Sequence, residues 1–268
     1  MEIQLPSLKG KELFKYLVEN KKSLIATKKA GIKYADTVFN APMVHTKTSS
    51  SKALQMVKEV EDDGELLVTV VANTSFWCDS QDDVLTDTCW DKSVSEKGTS
   101  IPHIADHCHK STSHVGDVRS IYSKKVSLKD LGLNQNGSGT CLVFETLIKE
   151  DYNEDVYKFY KNGKINQHSI GLQYVTIGLC INDKSHVAEF DLWNKYYSKV
   201  INKEKVDECG YFWIVPEIKL LENSCVLFGS NELTPTLDVS IESEPVVATL
   251  SQSVDVKQII NNYNFKFN

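Results

Sequence analysis

Apolar and polar positions divide the chain into two regimes. In residues 11 to 30, KELFKYLVENKKSLIATKKA, Leu13, Leu17 and Leu24 recur near helical spacing among six lysines, and Gly31 offers a stop. The pattern predicts an amphipathic helix, either solvated on its basic face or serving as a docking arm. A polar break at 45–53, HTKTSSSKA, reads as a linker. From residue 65 onward β-rich runs take over: ELLVTVVAN (65–73), HVGDVRSIYS (114–123), TCLVFETLI (140–148), SIGLQYVTIGLCI (169–181), YFWIVPEIKLL (211–221) and SCVLFG (224–229). Helical segments are predicted between them at 87–98, 151–163 and 186–201. In the second, Asp151 and Glu154 have capping-box spacing, Val156, Phe159 and Tyr160 form one face, and Gly163 closes the helix. Strands and helices do not alternate strictly, so the expected fold is mainly β with flanking helices, a barrel or sandwich rather than a doubly wound sheet. The stretch after about 240 is Ser- and Asn-rich and reads as a tail. The expected organisation is a helical arm and linker over 1–60, a main domain over 61–240 and a tail over 241–268.

Composition narrows this picture. The chain has 268 residues, 41% of them hydrophobic, enough for one sizeable core. A net charge of −6 disfavours general binding to nucleic acid or a membrane surface. No run approaches the roughly 20 apolar residues of a membrane span. The opening MEIQLPSLKGKELF lacks the layout of a secretory leader. Seven scattered cysteines with no CxxC pair point to a reducing compartment rather than a disulfide framework. There is no Walker motif and no GxGxxG.

Candidate chemistry concentrates in IPHIADHCHKSTSHVG (101–116), which holds His103, His107, His109 and His114, four of the chain's seven histidines. If 101–109 is extended, His103, His107 and His109 share a face. Three imidazoles could bind zinc, but His103 and His107 would stand about 13 Å apart along a strand, beyond the reach of one metal unless the strand bends. On the same reading Asp106 points away from His107. A nucleophilic site needs a serine, a histidine and an orienting group that meet in space. In NQHSIGLQYV, Ser169 opens a long apolar strand with the small Gly171 nearby.

Four segments, in order, resemble the prohead (capsid maturation) serine proteases of tailed bacteriophages, which share a fold with the herpesvirus assembly protease. FWCDSQDDVLTDTCWDKSV (76–94) resembles the family's opening block. IPHIADHCHKSTSHVGDV (101–118) resembles the block with the histidine base. DVYKFYKNGKINQHSIGLQY (155–174) resembles the helix, glycine turn and Ser-Ile-Gly of the nucleophile, and IKLLENSCVLFGSNELTPT (218–236) the closing Leu-x-Glu-x-Ser block. Gln81-Asp82, where a glycine is commoner, and the turn FGSN depart from the pattern. The resemblance implies an antiparallel β-barrel of the assembly-protease type, with His107 as base, Ser169 as nucleophile and Glu222 as the acid. Oxyanion donors would come from the backbone near Ser169–Gly171 or from the lone Arg119. It further implies a cofactor-free endopeptidase that cuts scaffold or major capsid protein segments, or itself. Such an enzyme would work inside the immature capsid in the host cytoplasm, with self-association in the prohead and neither nucleic acid nor membrane as partner. The reading from a different class is a non-catalytic or metal-binding β-domain using the His103–His114 cluster.

Overall fold

The computed structural model describes residues 5–33 and 63–241. The predicted linker at 45–53 and the tail beyond 241 lie outside them. The chain is mainly β with flanking helices, built on two sheets, neither of which closes on itself through its pairings. The first sheet is antiparallel, in the order β4 (Gly116–Ser127), β5 (Ser138–Lys149), β1 (Glu65–Thr74), β8 (Thr236–Ser240). The second centres on β7 (Tyr211–Cys225), antiparallel to β6 (His168–Ile181) along nearly its whole length. β2 (Asp83–Leu85) and β3 (His103–Ala105) pair parallel to β7. A strand has two edges and β6 occupies one, so β2 and β3 share the other.

Period-two alternation fills the space between the sheets. Leu66, Val68, Val70 and Ala72 of β1 face Ile170, Leu172 and Tyr174 of β6 and Ile218 and Leu220 of β7 in the largest hydrophobic cluster. The runs read as two strands, 211–221 and 224–229, are one strand with a bulge. Gly171 pairs with Glu222 and Leu172 with Leu220, so Leu221 is the extra residue, and the strand ends at Cys225.

The helices are α1 (Gly10–Glu19), α2 (Lys21–Ala30), α3 (Asp91–Lys97), α4 (Glu154–Lys161), α5 (Val187–Tyr196) and α6 (Lys203–Cys209). The single helix expected at 11–30 is divided at Asn20, whose backbone N–H and side-chain amide both donate to the Tyr16 carbonyl. Phe14, Leu17 and Leu24 of this pair join the main core. Lys33, just beyond, exchanges backbone hydrogen bonds with Leu172 of β6. The cap of α4 is Asn153, which accepts from the Val156 N–H, and not Asp151. Its buried face is Val156, Tyr157 and Tyr160, while Phe159 is 52% exposed. α6 had no apolar period to reveal it, since only Val206 is buried.

Candidate active site

β3, β7 and β6 lie side by side where β7 ends, and their register decides which side chains meet. His103 pairs with Asn223, Ile104 with Ser224, Ser169 with Ser224 and Gly171 with Glu222. Paired residues project to the same side of a sheet. One face of this platform therefore carries Glu222 and Ser224 beside Ser169 and Gly171. The other carries His103, Asn223, Cys225, His168 and Ile170 and turns to the core.

His107 reaches the first face by a sharp turn. β3 stops at Ala105, and Asp106 and His107 both adopt left-handed backbone, each with φ of 51°. Two successive non-glycine residues there cost about 1–3 kcal/mol each, and such strain persists only where the surroundings impose it. Here the imposing groups belong to β7. The Asp106 N–H donates to the Cys225 carbonyl at 3.0 Å and the His107 N–H to the Ser224 hydroxyl oxygen at 3.1 Å. The expectation that 101–109 is extended, with His103, His107 and His109 on one face, is corrected by this turn. His103 is wholly buried, whereas His109 and His114 are exposed.

The turn brings His107 Nδ1 to 2.7 Å from Glu222 Oε1. The other carboxylate oxygen accepts from the Ser224 hydroxyl at 2.8 Å. A carboxylate only accepts, so Nδ1 carries a proton in this contact. Glu222 is 2% exposed on its side chain and His107 10%. Gly171 makes room for this pair, because a Cβ at that position would run into the Glu222 carboxylate. Ser169, on the same face, is buried beside it, and no hydrogen bond among the described residues occupies its hydroxyl. Its neighbour across the strand pair is Ser224, whose oxygen holds the His107 backbone.

Two spaces adjoin the site. A groove of about 310 Å³ runs past Glu222 over Pro102, Ile104 and Leu221, edged by His109, Lys110 and His114. Beside Ser169, a cavity with room for one water is lined by Lys33, Asn73, Asp79 and Asn231. Asn73 Oδ1 is buried there with no hydrogen-bond partner among the described residues.

The structure thus joins His107 and Glu222 directly and sets Ser169 on their face. Arg119 is exposed on β4, in the other sheet. Among the described residues no group of three His, Cys, Asp or Glu side chains is placed to hold a metal. Sequence reasoning gave Ser224 no role, although a Glu-x-Ser spacing on a strand puts both side chains on one face. It also missed the buried partners of His103 and His168, which no local pattern announces. No family model matches the chain, and no curated protein or solved structure matches it.

Proposed function

We propose that the chain is a serine endopeptidase of the tailed-phage prohead maturation kind. It cuts scaffold or capsid-protein segments, or itself, within the immature capsid. The two sheets are read as parts of the barrel of the herpesvirus assembly protease. The observation that carries the reading is the 2.7 Å contact between His107 Nδ1 and Glu222, on the sheet face that also bears Ser169. Glu222 fixes the tautomer that leaves Nε2 as base. His107 takes the proton of Ser169 as Oγ bonds to the scissile carbonyl carbon, and gives it to the amine as the C–N bond breaks. Water then enters by the same proton path to release the acyl group. Base help of this kind contributes on the order of 10²–10⁴-fold, and the Glu222 charge stabilises the imidazolium as it forms.

The test is co-expression with a candidate capsid or scaffold protein, followed by mass spectrometry of the fragments, with a fluorophosphonate probe to mark the nucleophile. Wild type should cut and carry the label on Ser169. Ser169→Ala should do neither and should keep its fold. Proteolysis by Ser169→Ala at the wild-type rate would overturn the reading, as would activity lost to a chelator and restored by zinc.

A further inference from the structure

Beneath the platform, on its core face, a chain of side chains links the strand that leads to His107 with the strand that bears Ser169. Thr146 Oγ1 of β5 lies 3.0 Å from His103 Nδ1. His103 Nε2 lies 3.3 Å from the Tyr160 hydroxyl of α4, and that hydroxyl is 2.9 Å from His168 Nε2 of β6. His168 Nδ1 is 2.8 Å from the Thr234 carbonyl. All five residues are 0% exposed. Burial pushes both imidazoles down from their ordinary range, His168 to about 4, so both are neutral.

The proton positions follow in one direction. A carbonyl only accepts, so His168 carries its proton on Nδ1 and accepts at Nε2 from the single hydroxyl proton of Tyr160. The Tyr160 oxygen then accepts from His103 Nε2–H, and His103 Nδ1 accepts from Thr146. In this arrangement Tyr160 serves both histidines at once, with the Cys225 thiol also against its hydroxyl. His103 lies four residues before His107 and His168 one before Ser169. Their strands flank β7 on opposite edges, with β7 residues Asn223 and Cys225 between them.

We propose that Tyr160 is a positioning residue: its hydroxyl, by bonding His103 and His168 together under β7, sets where the His107 turn stands relative to Ser169. The proposal rests on the protease reading for its consequence but not for its geometry. Tyr160→Phe removes the shared hydroxyl and leaves the ring in place. Thr146→Val removes the first donor of the same chain and serves where Tyr160→Phe fails to fold.

Two measurements decide it. The first is the low-field proton resonance of His107 Nδ1–H in its bond to Glu222, which needs no catalysis. The second is the rate at which a fluorophosphonate labels Ser169, followed against probe concentration. In Tyr160→Phe the resonance should shift or broaden, and labelling at saturating probe should slow at least tenfold while the half-saturating concentration stays within twofold. Thr146→Val should change both in the same direction. A folded Tyr160→Phe protein, or Thr146→Val in its place, with an unaltered His107 resonance overturns the proposal, whatever its labelling rate. A wild type that shows the resonance but never labels at Ser169 overturns the protease reading instead, and the resonance still decides the role of Tyr160.

Discussion

Glu222 and Glu217 share a strand and, through the bulge at Leu221, the same face, yet only one can serve His107. Sequence spacing alone assigns them opposite faces, because five residues is an odd step in an unbroken strand. The inserted Leu221 resets the parity. What separates them is distance along β7, roughly 15 Å at strand rise, and surroundings. Glu217 is half-buried, with Lys92 3.6 Å away, whereas Glu222 is buried against His107. If the proposed protease function holds, Glu222→Gln, which keeps the shape and removes the charge, should lower kcat by about 10²-fold or more with little change in melting temperature. Glu217→Gln should leave turnover within twofold, and equal small effects of both on cleavage of a capsid-derived peptide would move the acid elsewhere. Ser224→Ala deprives the His107 N–H and a Glu222 oxygen of their partner together, so it should slow turnover too, with His107 still present. The ordered motifs single out His107 and Glu222, which the structure brings into contact, and Ser169, which it sets on the same sheet face without a hydrogen bond to His107. The left-handed pair Asp106–His107 was not legible, because only β7 enforces it.

Elements were legible where a period ran long enough to be read. β1, β4, β5 and β6 fall within a few residues of the runs that announced them. β2, β3 and β8, of three to five residues, offer too little period and exist because β7 and β1 pair with them. The α4 cap is a local error with a local test. Asn153→Ala should cost about 1 kcal/mol by urea titration, and Asp151→Ala almost nothing. The lysine-rich N-terminal stretch read as a solvated face, but charge pattern could not show that Asp79 and Asp83 wait for it in the interior. Lys33 lies 2.5 Å from Asp79 and 2.6 Å from Asp83, Lys28 lies 2.7 Å from Asp83, and Tyr174 donates to Asp83 as well. Burial opposes the Lys33 charge, but the two carboxylates outweigh it and hold the ammonium well above the usual lysine range. Lys33→Met leaves Asp79 buried without that cation, and should destabilise the protein by about 3 kcal/mol. Asp79→Asn on top of Lys33→Met should recover part of that loss in the same urea titration, since the pair is coupled.

At the scale of the molecule, two sheets enclose a largely apolar core crossed by a buried polar strip joining His103, Tyr160 and His168, with the Lys33–Asp79–Asp83 cluster as a second buried polar group. The β-rich class and its flanking helices were readable from the runs alone. The meeting of β3, β6 and β7 was not, since it brings residues more than 100 positions apart into register. That arrangement ties stability to pH through groups far from the surface. Burial opposes protonation of His168, and the Thr234 carbonyl offsets only part of that, leaving it at about 4; burial, with His168 nearby, also holds His103 well below its ordinary range. The unfolded chain binds protons on both residues near pH 6.5, while the folded chain refuses them until far lower pH. Between those values the unfolded state holds more protons, so unfolding free energy falls as pH falls. His168 alone accounts for about 3 kcal/mol lost between pH 6.5 and 4. Asp83 acts in a separate window. Burial pushes it up, but Lys28 and Lys33 outweigh that and hold it at about 2, so its contribution disappears only below pH 4. Urea midpoints taken from pH 7.5 down to 4.5 should therefore be level above 7 and decline steeply below 6.5. A profile that stays level to pH 4.5 would mean that the two histidines are not the buried neutral pair on which the platform rests.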